Sequence, residues 1–365
     1  GAMITASHNP GRYNGVKLCR AGAVPVGRDT GLGTIAAVLA GQEPTPAAAS
    51  SSGVVRERDV LGEYVGFLGG LVPLTGIRPL RVVVDAGNGM AGLTVPAVLG
   101  PTPVSVDGLY LELDGTFPHH PANPLDPQTL VELQHRVRAT GADLGLAFDG
   151  DADRCFVVDE RGELVDPSAV TALIAVDELE RRPGSSIIHN LITSQVVPEV
   201  VLEHGGTPVR TRTGHSFIKA RMAETGAVFG GEHSGHFYFR DFWRADSGML
   251  AALHVIAVLG RTPVGTPLSR LLAPYDRYAR SGELNATVDD TATVIEAVEA
   301  HYAPSPDVTL DHLDGLTVTN PRWWFNLRPS NTEPLLRLNV EAADDPTMVA
   351  VRDDVLDLVR THGTR

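Results

Sequence analysis

The chain has 365 residues, enough for two to four domains of ordinary size, and its 43% hydrophobic and 20% charged residues are typical of a globular protein. A formal net charge of −14 argues against extended binding to nucleic acid or to an anionic membrane, although a few local cations can still hold one phosphate group. Its two cysteines, Cys19 and Cys155, exclude a disulfide scaffold and a cysteine-rich zinc module, and they fit a reducing cytoplasm.

Short apolar runs alternate with amphipathic stretches along most of the chain. The runs predict strands over residues 81–85, 144–148, 155–158, 186–189, 323–327 and 335–340. Helical spacing predicts helices over residues 195–203 and 346–362. Strands that alternate with helices indicate an α/β fold with mostly parallel sheets.

Composition shifts divide the chain into segments. A stretch rich in proline, alanine and serine over residues 42–52 predicts a linker or exposed loop, and further junctions are predicted within 159–166 and 273–282. We therefore predict four segments, which are residues 1–55, 56–162, 163–275 and 276–365. The first segment runs almost at once into a polar loop, so we expect its domain to lack the front part.

That polar loop, T-A-S-H-N-P at residues 5–10, places Ser7 directly before His8, and Lys17 follows closely. A serine with a base and a cation nearby is a candidate to carry a phosphoryl group, because local cations offset the charge of a phosphate. A turn or cap role is the alternative for Ser7 considered alone.

A glycine motif follows the predicted strand at 81–85. Residues 87–92 match G-x-G-x-x-G, and Asp107 lies about 20 residues further on, as in dinucleotide-binding proteins. An NAD-dependent dehydrogenase is therefore a rival hypothesis. It leaves the serine loop, the acidic triplet at 149–153 and the polar loop at 328–334 without a role.

The densest cluster of charge is D-G-D-A-D-R at residues 149–154. Asp149, Asp151 and Asp153 alternate on one tight turn, and all-oxygen ligands suit Mg²⁺ or Ca²⁺. The three residues also match the first, third and fifth positions of an EF-hand, but Arg154 stands where that loop needs glycine, and the flanks are predicted strands. A solvated acidic turn is the other alternative.

The second half of the chain carries further polar loops. G-E-H-S-G-H at residues 231–236 has side chains suited to sugar hydroxyl groups, and T-G-H-S at 213–216 places a histidine beside a glycine bend. R-P-S-N-T-E-P at 328–334 combines a guanidinium with three small hydrogen-bonding side chains, a composition suited to phosphate. The alternatives are a plain turn at 231–236, a packed or capping histidine at 213–216, and a polar hairpin turn with Arg328 on the surface at 328–334.

T-A-S-H-N-P, D-G-D-A-D-R, G-E-H-S-G-H and R-P-S-N-T-E-P, in this order, resemble the four loops of the α-D-phosphohexomutase family over essentially the whole chain. The resemblance implies three related α/β domains with mixed sheets and a smaller C-terminal α/β domain around a central cleft. G-E-H-S-G-H is similar to the phosphomannomutase/phosphoglucomutase branch, and F-R-D-F-W-R at 239–244 favours its actinobacterial type. The phosphoglucosamine mutases and phosphoglucomutases of the same family are the nearest alternatives.

The resemblance also implies an activity, which is the reversible interconversion of mannose 1-phosphate and mannose 6-phosphate, and of the glucose phosphates. The phosphoryl group would pass through phosphorylated Ser7 and a hexose 1,6-bisphosphate that also activates the enzyme. The partners implied are sugar phosphates, without nucleic acid or membrane, for a cytoplasmic monomer or homodimer. A Ca²⁺-binding module, or a degenerate mutase that only binds sugar phosphate, is the non-enzymatic alternative.

Each motif residue receives a role by the same resemblance. One Mg²⁺ would be held by Asp149, Asp151, Asp153 and Ser7. The transfer site would be lined by Ser7, His8, Lys17, Arg154 and His236. Substrate would be bound by His215, Glu232, Ser234, Arg328, Ser330, Asn331 and Thr332. Some family members carry a substrate-binding lysine on a loop of the third domain, and N-L-I-T-S at residues 190–194 lacks it.

Overall fold

The computed structural model describes residues 1–41, 53–330 and 335–363. In chain order the strands are β1 (Ala2–Ile4), β2 (Val16–Leu18), β3 (Leu80–Asp85), β4 (Val104–Leu109), β5 (Leu144–Phe148), β6 (Cys155–Asp159), β7 (Ser186–Asn190), β8 (Thr207–Thr211), β9 (Phe229–Gly231), β10 (Phe237–Phe239), β11 (Ala245–Asp246), β12 (Ala279–Thr287), β13 (Thr309–Asp311), β14 (Leu316–Asn320), β15 (Trp323–Pro329) and β16 (Leu335–Ala342).

The α-helices are α1 (Leu32–Leu39), α2 (Leu61–Leu71), α3 (Ala91–Leu99), α4 (Val131–Thr140), α5 (Pro167–Arg181), α6 (Val196–Glu203), α7 (His215–Thr225), α8 (Gly248–Arg261), α9 (Leu268–Leu272), α10 (Thr291–Tyr302) and α11 (Asp345–Gly363). Among the described residues, no helix combines the length and the apolar character needed to cross a membrane. The chain folds into two compact units, the first with Gly1–Val170 and Ser234–Leu271, the second with Thr171–His233 and Leu272–Arg365.

The first unit contains a four-stranded sheet with the order β4-β3-β5-β6. Strand β3 is parallel to β4 and to β5, and β6 closes the sheet antiparallel to β5. Every residue of β5 and β6 is buried, as expected for strands that are covered on both faces. The loop that joins β5 to β6 therefore starts and ends on a rigid edge of the sheet.

The beginning of the first unit is a short hairpin. Strands β1 and β2 are antiparallel, with Ile4 opposite Val16 and Met3 opposite Lys17. The loop between them contains Ser7, and Thr5 N donates to Gly15 O at 3.0 Å at its base. The hairpin register thereby brings Lys17 to the same end of the ribbon as the serine loop.

In the second unit, β7 lies between β8 and β9 and is parallel to both. The carboxyl ends of parallel strands share one sheet edge, which is where open α/β sheets bind ligands. Asn190 ends β7 and Gly231 ends β9, so the loops that follow them start on the same edge.

The C-terminal sheet, with the order β12-β16-β15-β14-β13, is antiparallel throughout. The expectation of mostly parallel sheets is therefore wrong for this part of the chain. Strands β13 to β16 follow one another without an intervening helix, and short connections between neighbouring strands produce antiparallel pairs. Helices α10 and α11 cover one face, with Phe325, Leu338 and Val355 in the shared core.

The predicted elements all form, with ends that differ by one or two residues. The strand predicted over 323–327 extends to Pro329, and the one predicted over 335–340 extends to Ala342. The junction predicted over 273–282 includes the start of β12 at Ala279. The predicted linker at 42–52 lies outside the described residues.

Candidate active site

The acidic loop joins β5 to β6 and is fixed by its own backbone. Asp149 is fully buried, and its Oδ1 accepts a hydrogen bond from Arg154 N at 3.2 Å. Ala152 N donates to Asp149 O at 3.0 Å, with Ala152 in the left-handed region at φ 59°. Strands on both sides of the loop exclude the helix–loop–helix of an EF-hand.

The three carboxylates of this loop converge. One oxygen each from Asp149, Asp151 and Asp153 lies within 4.8 Å of the others. Burial, followed by the charges of Asp153 and Asp151, raises the pKa of Asp149 to about 7. The buried Oδ1 atoms of Asp151 and Asp153 have no hydrogen-bond partner in the described part of the chain. An all-oxygen cluster with surplus negative charge and free acceptors fits a hard divalent cation.

The glycine motif at residues 87–92 packs against this acidic loop. Met90 N donates to Gly150 O at 2.9 Å, and a Cβ on Gly89 would lie only 2.7 Å from that same oxygen. The acidic residue of the dinucleotide hypothesis, Asp107, is held by Arg136 at 2.8 Å. The glycine motif and Asp107 therefore both have partners within the protein, and neither supports a dehydrogenase any longer.

Lys17 lies beside two of the carboxylates. Its Nζ is 2.8 Å from Asp151 Oδ2 and 2.7 Å from Asp153 Oδ2. Burial alone would lower the pKa of Lys17, but the two aspartates outweigh it and the pKa lies above its ordinary value. The ammonium group therefore stays charged at neutral pH and supplies a fixed cation at this position.

Ser7 lies directly against the acidic loop. Its Oγ is 3.3 Å from Asp149 Oδ2 and 3.2 Å from His8 Nδ1. Thr5, which the sequence analysis missed, accepts from Ser7 N at 2.9 Å and donates to Asp151 Oδ2 at 2.8 Å. Ser7 adopts φ 54°, a left-handed conformation that non-glycine residues seldom adopt.

His8 is uncharged at neutral pH. Burial, followed by the positive charges of Arg154 and His236, lowers the pKa of His8 to about 4. A neutral imidazole can accept the hydroxyl proton of Ser7, since the two side chains are within hydrogen-bond distance.

His236 reaches the same site from the start of β10. An isolated bridge pairs it with Arg154, whose Nε is 3.5 Å from Asp149 Oδ2. Asp246 Oδ2 lies 3.1 Å from His236 Nδ1. Burial alone would lower the pKa of His236, but Asp246 outweighs it and the net shift is upward. Asp246 was missed because no local motif marks it.

The second unit holds Glu232, which is 2% exposed. Its Oε1 accepts from Asn190 Nδ2 at 3.2 Å and from Gly214 N at 3.1 Å. Asn190 lies on the loop that lacks the family lysine, and the sequence analysis gave it no role. His215 begins α7 directly after Gly214 and is exposed. Ser234 belongs to the first unit and is partly buried.

Arg328 lies near the end of β15 and is 8% exposed, so the alternative of a surface arginine in a polar turn is wrong. Glu283 Oε2 accepts from its Nη2 at 2.9 Å, and Glu283 Oε1 accepts from Arg337 Nη1 at 2.9 Å. Arg328 and Arg337 are cross-strand partners. Ser330 N donates to Leu335 O, whereas Asn331 and Thr332 lie outside the described residues.

Sequence profiles of the phosphoglucomutase/phosphomannomutase family match most of the chain. The profile for α/β/α domain I matches residues 1–45, and that for domain II matches residues 63–162. The profile for α/β/α domain III matches residues 166–278, and the C-terminal domain matches residues 283–358.

Known proteins agree with these profiles. The phosphomannomutase of Salmonella typhimurium is 40% identical over 364 residues, covering 98% of this chain and 79% of that protein. A Xanthomonas campestris protein named phosphohexose mutases is 39% identical over 363 residues, covering 99% and 80%. The crystal structure of a phosphoglucomutase/phosphomannomutase family protein from Burkholderia thailandensis superposes with a TM-score of 0.87 at 32% identity, covering 99% of this chain and 76% of that one.

Proposed function

The chain belongs to the phosphoglucomutase/phosphomannomutase family, and we propose that it is a phosphomannomutase, which interconverts mannose 1-phosphate and mannose 6-phosphate and also accepts the glucose phosphates. The observation that carries the proposal is the position of Ser7. Its hydroxyl lies 3.3 Å from the acidic loop, with the Lys17 ammonium bound to that same loop. A serine in this setting is suited to carry a phosphoryl group, because Lys17 and a cation held by the three carboxylates would offset the charge of a phosphate.

Transfer begins from phosphorylated Ser7. The bond between phosphorus and Ser7 Oγ breaks and a bond to a sugar hydroxyl oxygen forms. The sugar hydroxyl proton passes to a base on the protein, while Ser7 Oγ keeps the electron pair of the broken bond and takes up a proton. The product is a hexose 1,6-bisphosphate, which turns round so that its other phosphoryl group returns to Ser7. Phosphoryl transfer depends on positioning and charge neutralisation, and Lys17 and Arg154 supply positive charge at this end of the site.

His236 is the better candidate for the base that takes the sugar proton. Asp246 Oδ2 lies 3.1 Å from its Nδ1 and raises its pKa, so the side chain binds a proton more readily than His8. In the neutral form with the proton on Nδ1, Nε2 would be the acceptor. His8 has a pKa of about 4 and binds a proton weakly at neutral pH. We assign His8 to holding the Ser7 oxygen through the contact at 3.2 Å.

Asp149, Asp151 and Asp153 would hold one Mg²⁺ together with the oxygen on Ser7. The fit rests on the converging oxygens and on the unpartnered Oδ1 atoms of Asp151 and Asp153. When bound, the cation offsets the negative charge of the group in transfer.

Substrate recognition is assigned to the loops of the later segments. Glu232 and Ser234 would accept or donate to sugar hydroxyl groups, with His215 as a further polar contact. The phosphate that is not transferred would be held by Arg328, Ser330, Asn331 and Thr332. The support at Arg328 is its buried guanidinium, which Glu283 holds in place at 2.9 Å.

The remaining assignments follow from family membership. We propose four domains over residues 1–55, 56–162, 163–275 and 276–365, a cytoplasmic location, and a monomer or homodimer. Hexose 1,6-bisphosphate would act as activator, because it rephosphorylates Ser7 whenever an intermediate escapes.

A mutase assay on the full-length protein tests the proposal. Mannose 1-phosphate, glucose 1-phosphate and glucosamine 1-phosphate are offered separately with Mg²⁺ and a trace of hexose 1,6-bisphosphate. We expect turnover of the mannose substrate, with loss of at least about a thousandfold in Ser7→Ala and none in the exposed control Ser305→Ala. Turnover of glucosamine 1-phosphate alone would assign the chain to the phosphoglucosamine mutases instead.

A further inference from the structure

The β7–α6 loop, defined here as residues 191–195 together with Asn190 at the end of β7, connects two carboxylates of the second unit. Both carboxylates, Glu232 and Glu341, are 2% exposed. The loop is itself buried except at Gln195. Neither Glu341 nor this loop has a role in the proposed chemistry.

The start of the β7–α6 loop orients Glu232. Asn190 is fully buried, and its Oδ1 accepts from Thr193 Oγ1 at 2.7 Å. Because a hydroxyl is donated to Oδ1, the amide nitrogen of Asn190 points the other way and donates to Glu232 Oε1 at 3.2 Å. One oxygen of Glu232 is thus fixed by the protein, which sets the direction of the other.

The end of the same loop rests on Glu341 from β16. Glu341 Oε1 accepts from Gln195 N at 2.8 Å, and the Ser194 hydroxyl also hydrogen-bonds the carboxylate. Trp324 Nε1 donates to Glu341 Oε1 at 2.8 Å and holds it from the neighbouring strand. Burial raises the pKa of Glu341, and the hydrogen bonds from Ser194, Gln195 and Trp324 oppose that shift. When ionised, the carboxylate lies at the first turn of α6, where the helix dipole favours negative charge.

Between its two ends the loop is internally bonded. Thr193 N donates to Asn190 O at 3.2 Å, Val196 N donates to Ser194 Oγ at 3.3 Å, and Val197 N donates to Ser194 O at 3.0 Å. Neighbouring groups in one hydrogen-bond network do not act independently. A displacement at Ser194 is therefore expected to reach Asn190 through the adjacent Thr193, which donates to Asn190 from both its N–H and its hydroxyl.

We propose that Glu341 is a positioning residue for sugar binding, which holds the β7–α6 loop so that Asn190 presents Glu232 to the substrate. The inference rests on the proposed function, in which Glu232 binds a sugar hydroxyl. It means that the last sheet contributes to sugar recognition through a residue that touches no substrate.

A double-mutant cycle tests the coupling. Glu341→Gln, Glu232→Gln and the double variant are compared in steady-state turnover of mannose 1-phosphate. We expect Glu341→Gln to raise KM about tenfold with a much smaller change in kcat, because it disturbs binding and not transfer. In the Glu232→Gln background the same substitution should change KM by less than about twofold.

Asp311→Asn is the matched control. It removes the partly exposed ion pair between Arg210 and Asp311, at 3.2 Å, which joins β8 to the same C-terminal sheet without touching the β7–α6 loop. We expect its KM to stay within about twofold of the unsubstituted value. An equal effect of Asp311→Asn and Glu341→Gln would overturn the specific role of Glu341.

A second variant separates positioning from general damage. Asn190→Ala leaves Glu341 in place and removes only the amide that contacts Glu232, so it should raise KM and also lose its effect in the Glu232→Gln background. Additive effects of either variant with Glu232→Gln, in proteins with unchanged thermal unfolding, would refute the coupling.

Failure of the proposed function has a different signature. If the unsubstituted protein does not turn over mannose 1-phosphate, the phosphomannomutase assignment is wrong. The same cycle is then measured as the calorimetric Kd for mannose 1-phosphate, where non-additivity still supports the coupling and additivity or absence of binding refutes it.

Discussion

The carboxylates of the two units are stabilised in opposite ways. In the acidic loop, Asp149, Asp151 and Asp153 converge, and two of their buried oxygens lack a hydrogen-bond partner in the described part of the chain. In the second unit, Glu232 and Glu341 each accept two hydrogen bonds from N–H groups on one oxygen, although Glu341 Oε2 is also buried without a hydrogen-bond partner in the described residues. The difference lies in convergence: the three aspartates bring their charges together and need a cation from outside, whereas each glutamate is held singly by N–H groups. Converging carboxylates thus indicate the site of phosphoryl transfer, whereas carboxylates held by N–H groups indicate substrate recognition and structural support.

Removal of divalent cations is expected to have the largest effect. Dialysis against EDTA should abolish turnover, and Mg²⁺ should restore it, because the charges of Lys17 and Arg154 alone do not balance the three converging carboxylates and the phosphoryl group. Asp151→Asn should raise the Mg²⁺ concentration needed for half-maximal activity by at least about tenfold.

Glu232→Gln is the counterpart from the second unit. It should raise KM for the sugar phosphate and leave the Mg²⁺ requirement unchanged, since Glu232 accepts hydrogen bonds from the N–H groups of Asn190 and Gly214 and is not one of the three converging carboxylates. Titration of activity with Mg²⁺ in the two variants measures the difference. A shifted Mg²⁺ requirement in Glu232→Gln would break the distinction between the two kinds of site.

Gly89→Ala is expected to have an intermediate effect. Its new Cβ would lie 2.7 Å from Gly150 O, so the backbone of the acidic loop must move. A displacement of this size lowers phosphoryl transfer by about a hundredfold, because catalytic groups lose their alignment. Gly70→Ala on α2, where a Cβ meets nothing within 4 Å, should keep full activity. Equal activity of the two variants in the mutase assay would contradict the packing argument.

The smallest effect concerns the pH dependence of stability without cations. The pKa of Asp149 is raised to about 7 in the folded state, so its ionisation destabilises the fold. The native state holds this proton longer than the unfolded chain, and stability should therefore fall as pH rises from about 4 towards 7.

Asp149→Asn removes this contribution. Its thermal midpoint in EDTA should depend less on pH over that interval by a few degrees. Saturating Mg²⁺ should abolish the difference in the unsubstituted protein, because the bound cation stabilises the ionised carboxylate. An unchanged pH profile in Asp149→Asn would show that the crowded charges are relieved in another way.

The site residues differ in how far the sequence could identify them. Ser7, Asp149 and Arg328 stand in contiguous motifs whose residue types state their chemistry. Thr5, Asn190 and Asp246 were missed, because each acts on a partner that is distant in sequence or carries no motif of its own. Asn190 is 42 residues from Glu232 in sequence, and Thr5 is 146 residues from Asp151. Such pairs can be recognised only in the folded structure, which brings the two residues into contact.

Six of the strands, two of the helices, the four loops and the family follow from the sequence alone, because hydrophobic periodicity and contiguous motifs are local properties of a chain. The tertiary structure decided which way the C-terminal strands run, why residues 87–92 are rich in glycine, and which carboxylates converge. The backbone of Gly150 leaves no room for a side chain at residue 89, and Glu341 holds a loop about 150 residues earlier in the chain. Close packing joins these distant segments. Burial and hydrogen bonding between such segments set the charge state of each group, and these depend on the fold as a whole.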